Sequence, residues 1–395
     1  MAGPLQYRIV GSGPVALACA LFMVRGGIDA RRVQLHLPAL AQARPADDGH
    51  APGPSADGAG EPGTIPRVRR MLAISDGSRQ LLSRVIAMPA AGVIERIEIA
   101  LSGRSGRTRI EARDFKLPAL GHVVAYPDLV AALRDAAAAL PFAAPAQPHP
   151  STVQAVTIHA DGLPRRAGSR GREFRARDFE QSALLTEVMA QTAGATAYEC
   201  FGRRGPLALL PAGTGHSPRY AVVWCDEPAL TAARVAMTPA QLSTALTEAF
   251  AAFGTGHATL GALRVCSAVE AAPLSRVRRV NSARGREVWI GNAAQALHPV
   301  AGQGLNLGLR DAFELARSLA DNEYADDPLE PAQVLARFAM HRRIDRTITT
   351  SLTDLLASSF TWPLARPLQS ALLTAMDLLP PLRQPLARVL LFGSR

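Results

Sequence analysis

Gly291–Asp311, GNAAQALHPVAGQGLNLGLRD, joins a strand end, a proline bend and a glycine-spaced helix start in one short run. The preceding Glu287–Ile290, EVWI, reads as a short buried strand, and Gly291 permits a sharp turn where it ends. Beyond Pro299, Gly302 and Gly304 leave the main chain bare around Gln303, and Leu305, Leu307, Leu309, Ala312, Leu315 and Ala316 supply an apolar helical stripe. A bare backbone entering a helix turns free N–H groups and a positive dipole end toward an electron-rich ligand. One Gly-x-Gly alone would as readily be a tight turn before a core helix.

A second glycine-rich turn lies near the N-terminus. Tyr7–Val10 reads as a strand, and Gly11-Ser-Gly13-Pro-Val-Ala16 opens an apolar helix through Leu17, Cys19, Ala20, Leu21 and Val24. This is the strand, turn and helix order of a dinucleotide fingerprint. Gly11 allows the turn, Gly13 lets a pyrophosphate approach the backbone, and Ala16 stands where a third small residue lets helix and strand pack closely. The carboxylate expected for the ribose about 20 residues later is missing. The second strand, read as Arg32–Leu37, ends in His36, Leu37 and Pro38. His36 has the chemistry to donate a hydrogen bond to a ribose or to serve as a structural group.

With both turns in view, the chain resembles the flavin-dependent aromatic hydroxylases of ubiquinone biosynthesis, the 2-octaprenyl-6-methoxyphenol hydroxylase branch of the single-component flavoprotein monooxygenases. GNAAQALHPVAGQGLNLGLRD carries most of the resemblance, including Asn292 where many relatives outside the branch have Asp. Arg70–Ser75, RMLAIS, followed by GSRQLL at Gly77–Leu82, resembles the segment that brings an arginine to the flavin phosphates. Leu120–Leu133 resembles the strand and helix after the first substrate-domain hairpin. His159–Gly162, HADG, matches the Asp-Gly motif, and Arg177–Pro211 with GPLALLP resembles strands that roof the substrate pocket. Gln42–Pro66 falls outside the resemblance and reads as a loop rich in Pro, Gly, Ala and Asp. The match is thin at Pro141–Thr152, where a strand of the cofactor domain is expected to be reduced.

The resemblance implies an α/β fold: a Rossmann-like FAD-binding domain interleaved with a mainly antiparallel β-sheet substrate domain, and a C-terminal helical region. Residues 1–75, 119–163 and 284–330 would form the first, 76–118 and 164–283 the second, and 331–395 the third. Cofactor contacts are expected from Gly11, Gly13, Ala16, Arg70, Asp161, Gly291, Asn292, Gly302, Gln303, Gly304, Leu305 and Asn306. The backbone N–H groups of Leu305 and Asn306 would face the flavin pyrimidine, Asn292 the ribityl or pyrophosphate, and Pro299 the isoalloxazine wall. FAD, NADPH or NADH as reductant and O2 would hydroxylate the ring of a polyprenylated phenol through a C4a-hydroperoxyflavin. His298, with a reference pKa about 6.5, is the best titratable candidate for taking the phenol proton, against a purely structural reading. Tyr220 and Tyr126 are weaker candidates. Two other readings remain: an impaired relative that holds a prenyl lipid or assembles a complex, and a flavin reductase without oxygen transfer.

Bulk properties bound the rest. The 395 residues, 48% hydrophobic and 19% charged, suit a globular chain. The net charge of +10 is almost wholly arginine, Lys116 being the sole lysine. It favours anionic cofactors or membrane faces, and no basic run interleaved with aromatics argues for nucleic acid. Cys19, Cys200, Cys225 and Cys266 form no CxxC pair, which suits reduced thiols and excludes a zinc framework. The histidines lack metal spacing, so no metal is expected. No signal peptide is read at the N-terminus, nor a run near the roughly 18 apolar residues of a membrane span. A cytoplasmic protein, or one peripheral on the inner membrane beside other quinone-biosynthesis proteins, is expected. One further strand is read at Val93–Leu101 with a hairpin partner at Thr108–Ala112, and Thr238-Pro239 caps a helix to about Phe253. A helix is read at Ala332–Leu356, with Pro363, Pro367, Pro380, Pro381 and Pro385 breaking the apolar, arginine-bearing remainder.

Overall fold

The structure, a computed structural model, describes residues 5–35, 68–103, 106–143, 155–162, 173–254, 257–298, 302–358 and 366–393. The expectations for His36, Leu37, Pro299 and the Gln42–Pro66 loop lie outside them. The strands are β1 (Gln6–Val10), β2 (Val33–Leu35), β3 (Met71–Ser75), β4 (Ala91–Ile94), β5 (Arg96–Leu101) and β6 (Arg107–Glu111). They continue with β7 (Gly121–Ala125), β8 (Ala155–His159), β9 (Phe174–Gly194), β10 (Thr196–Phe201), β11 (Pro206–Pro211) and β12 (Ser217–Asp226). Last come β13 (Arg264–Val265), β14 (Glu270–Arg279), β15 (Ala283–Arg284), β16 (Glu287–Trp289) and β17 (Gln295–Ala296). The helices are α1 (Pro14–Arg25), α2 (Asp76–Leu82), α3 (Tyr126–Ala138), α4 (Pro228–Val235) and α5 (Pro239–Ala251), then α6 (His257–Leu260), α7 (Gln303–Glu323), α8 (Pro331–Ser358), α9 (Arg366–Leu378) and α10 (Pro380–Phe392).

Three sheets organise these elements. The first runs β15-β16-β8-β1-β2, with β16, β8, β1 and β2 parallel. Its strands are short, and they bury alternate apolar residues, Tyr7 and Ile9 of β1 and Val156 and Ile158 of β8. Alpha-helix α1 is buried nearly all round, from Ala16 to Met23, and packs against α3 and α7; a helix apolar on every side belongs inside. The second strand begins at Val33, after a short 3-10 turn at Ala30–Arg32 that Asp29 caps, and not at Arg32. Of the thin region Pro141–Thr152 only the first three residues are described, and there Ala143 makes one parallel bridge to Gln34, its N–H donating to Val33 C=O.

A three-stranded antiparallel sheet, β3-β7-β4, bridges to the large one. The large sheet runs β17-β14-β9-β12-β11-β10-β5-β6, with β13 on β9, and is antiparallel except where β10 meets β5. The single strand expected at Val93–Leu101 is two strands in different sheets, broken at Glu95. An unbroken strand would send Ile94 to the face opposite Ile97 and Ile99. The break resets the alternation, and all three reach one apolar cluster. The hairpin to β6 and the Thr238 capping box on α5 form as read.

Helix α8 lies along α7, α9 covers β6, and α10 rests on α2 and α9. Pro380 opens α10, but Pro385 stays inside it and does not break it, in contrast to the sequence expectation. Among the described residues no helix is long and apolar enough to cross a membrane.

Candidate functional site

Close packing builds both glycine segments, and Val15 of α1 brings Gly291 against the first of them. Gly11 has φ +129°, and a Cβ there would stand 2.5 Å from Ala160 C=O and 2.9 Å from Asp161 N. The first turn thus lies flush against the HADG strand end, which puts the exposed Asp161 beside it. Ala16 is fully buried behind the turn. Where α1 crosses α7, a Cβ on Gly291 would meet Val15 at 3.1 Å, and one on Gly308 would meet Val15 at 2.8 Å and Gly291 Cα at 3.1 Å. Gly308 was not singled out from the sequence, although its spacing of four from Gly304 signals a helix crossing.

Gly13 caps α1 without a side chain, and its open Cβ direction meets only Tyr126 Oη at 4.0 Å. Tyr126 in turn lies under the Arg70 guanidinium, 5.3 Å from its ring centroid, and its N–H donates to Arg70 C=O. Arg70, Tyr126 and Gly13 therefore form one edge of the same turn. Asn292 is exposed in a 3-10 turn at Gly291–Ala293.

Helix α7 starts at Gln303, capped by Gly302 in the left-handed region at φ +58°. That is two residues earlier than a start after Gly304. The N–H groups of Gln303, Gly304 and Leu305 have no intrahelical acceptor, whereas that of Asn306 falls in register with Gly302 C=O. Asn306 contributes instead through its side chain, which is only 2% exposed. Its Oδ1 accepts from Ser75 N–H at 2.9 Å, and its Nδ2 donates to Ala73 C=O at 3.0 Å and Gly302 C=O at 2.8 Å. This clasp holds the glycine turn on β3. A Cβ on Gly302 would press on Ala73 Cβ at 2.9 Å, while one on Gly304 would meet nothing within 4 Å.

The two helix starts share a chemistry. Neither has a side-chain cap or an acidic residue in its first turn, so each leaves N–H groups and a positive dipole end for an anion or carbonyl. Gly13 and Gly304 leave open the space a ligand needs. A dinucleotide flavin, which carries both an anionic pyrophosphate and a carbonyl edge, fits this donor set. Among the described residues no group of His, Cys, Asp and Glu could hold a metal ion.

His298 sits four residues before Gly302, 1% exposed, with its Nε2 3.3 Å from Gln181 Oε1 and its ring edge-on to Phe179 at 5.0 Å. Gln181 Nε2 donates to Arg204 C=O, which leaves Oε1 as the acceptor and puts the imidazole proton on Nε2. Burial pushes the imidazole from 6.5 down to about 4. It is neutral at pH 7, and this lowered basicity favours the structural reading of His298 over the catalytic one. An irregularity in β9 aims both partners at it. Glu180 adopts φ +55°, its N–H donating to Asp178 Oδ1, and the register with β14 shifts there.

The titration carries a prediction. His298 has its depressed value only when folded, so the unfolded chain binds the extra proton first and stability falls as pH drops from 6.5 toward 4. His298→Asn should flatten that fall by roughly 2–3 kcal/mol relative to the parent, read from urea midpoints at a series of pH values. Parallel curves for the two proteins would contradict the burial argument.

Phe179 also marks one face of the large sheet. It clusters with Ala183, Leu185, Val223, Cys225 and Leu274. On the same alternation Ala208 pairs opposite Val223, and Ala221 opposite both Leu210 and Glu187. The face is apolar and floored with small side chains, with Glu187 held by Arg219 at 3.2 Å at its end. It includes the GPLALLP strand expected to roof a pocket. Tyr220 points the other way, fully buried in the core under Leu242, Leu246 and Phe250 of α5, and so is not at the site.

The FAD binding domain family matches residues 153–327 of the chain. The 3-demethoxyubiquinol 3-hydroxylase of Escherichia coli (strain K12) is 30% identical over 211 residues, covering 52% of this chain and 50% of that protein. Ubiquinone hydroxylase UbiL of Rhodospirillum rubrum is 32% identical over 220 residues, covering 53% of this chain and 47% of that protein. The chain thus spans about half the length of these two relatives. The solved p-nitrophenol 4-monooxygenase PnpA from Pseudomonas putida DLL-E4 shares the fold over 100% of both chains, with a TM-score of 0.65 at 17% identity.

Proposed function

We infer that the chain is an FAD-dependent hydroxylase of the ubiquinone-biosynthesis kind, which hydroxylates the aromatic ring of a polyprenylated phenol with O2 and NADPH or NADH. Bound FAD supplies the redox chemistry that puts one oxygen of O2 on the ring. The chain's own residues bind, orient and exclude water. The N–H groups at the start of α1, with Arg70 beside them, hold the pyrophosphate. Those of Gln303, Gly304 and Leu305 face the pyrimidine carbonyl and stabilise negative charge there. Asn292 would hydrogen-bond the ribityl or pyrophosphate region. The neutral, buried His298 and Phe179 close the wall, and Leu185, Val223 and Ala208 give the phenol an apolar roof.

The carrying observation is the open Gly304 position at an uncapped helix start that Asn306 locks to β3. The test is the visible spectrum of purified protein, then product analysis with a prenylated phenol. A flavin band that NADPH or NADH bleaches, followed by a hydroxylated product, is expected. Protein that cannot be reconstituted with FAD would sink the reading, and flavin reduction without product would leave a reductase.

A further inference from the structure

Helix α8 has two unlike faces. Inward, Val334, Leu335 and Phe338 join the core, and Arg342, Asp345 and Arg346 enter a buried ion network. Outward, Met340, Ile344 and Ile348 recur every fourth residue and are 70%, 65% and 40% exposed. At about 100° per residue they form one stripe, with exposed Arg343 on one flank and exposed Arg337 and His341 on the other.

The charge around the stripe is of one sign. From Gln333 to Ser351 the only carboxylate of α8 is Asp345, which is 3% exposed and held by Arg310 and Arg342. Beyond Arg343 the positive edge continues onto the large sheet. Arg278 donates to Thr347 Oγ1 at 3.4 Å, and its neighbours Arg175 and Arg343 crowd it with like charge. Among the described residues, none of these three arginines is within ion-pair distance of a carboxylate. A second copy of this chain would bring arginine against arginine across such a face. An apolar stripe edged by unpaired guanidinium groups instead matches lipid phosphates above an acyl boundary.

We propose that the Met340, Ile344 and Ile348 face of α8 docks on an anionic lipid bilayer, with Arg337 and Arg343 meeting phosphate headgroups. The hydroxylase assignment is not needed for this surface. Its placement does bear on the site, since Arg342 and Arg346 join α8 to Asp311 of α7, and the start of α7 carries Gly302 to Leu305. Surface and cofactor cradle are therefore parts of one rigid unit.

The test is cosedimentation of the FAD-reconstituted full chain with phosphatidylglycerol-containing phosphatidylcholine vesicles, with pure phosphatidylcholine vesicles, and at low and high salt. Binding to the anionic vesicles that weakens with salt is expected. Arg337→Gln with Arg343→Gln should weaken it on the order of thirtyfold. Met340→Ser with Ile344→Ser, which keeps the charges, should weaken it by about tenfold or more. All four positions are exposed, and circular dichroism melting checks that each variant folds. Absence of binding to anionic vesicles, or equal binding by parent and both variants, would overturn the proposal. So would a concentration-dependent dimer that the serine variant dissolves while vesicle binding is nil.

Discussion

Gly304→Val leaves the chain folded and strips it of FAD. A Cβ at Gly304 meets no atom within 4 Å beyond its own helix backbone, so the site has room for a side chain, and valine is a better helix residue than glycine. The side chain instead fills the approach to the Gln303, Gly304 and Leu305 N–H groups. Losing two such contacts, each about 1.5 kcal/mol to a partly charged acceptor, weakens FAD binding on the order of a hundredfold. Flavin fluorescence titration measures the affinity, and an unchanged melting curve shows that the fold persists. Gly304→Ala should fall between parent and valine. Full flavin retention by the valine variant would remove Gly304 from the site.

Asp311→Asn produces the largest loss of stability. Asp311 is fully buried and accepts from Arg342 Nε at 2.8 Å, from Arg346 Nε at 3.1 Å, and from Gln295 Nε2 at 3.2 Å. Asp345 beside it accepts from Arg310 and Arg342. Burial works against the charged form of Arg342, and Asp311 and Asp345 together more than offset it. Removing the charge leaves three buried guanidinium groups facing one carboxylate. An uncompensated buried charge costs about 3–5 kcal/mol. The urea midpoint should fall by that amount with the slope unchanged. A loss under about 1 kcal/mol would mean that water reaches the network.

The two glycine turns were readable because glycine at a strand-to-helix junction has a steric cause that acts within a few residues. Their geometry bears this out at Gly11, Gly291 and Gly302, each with positive φ. Features decided by distant partners were not readable. Asn306 lies 231 residues from Ser75, and the sequence points to its backbone N–H as a cofactor contact but not to the clasp its side chain makes. The break at Glu95 likewise leaves the alternation of VIERIEIAL looking continuous, because only the cluster that Ile94 joins shows which face it needs. His298 was visible as a titratable group beside a proline, but its weak basicity comes from burial under Phe179 and Gln181 of β9. Asp311 and the outward stripe of α8 share that limit, since helical spacing alone cannot tell an apolar face that is covered from one that is not.

Asn306 has a kinetic consequence as well. Its three hydrogen bonds join the turn at Gly302, strand β3 and helix α7 within the protein's own framework. The conformational entropy of that loop is therefore lost during folding and not at the encounter with a cofactor. Association should then be a single fast phase that is first order in flavin, without the slower unimolecular step of a loop that orders around its ligand.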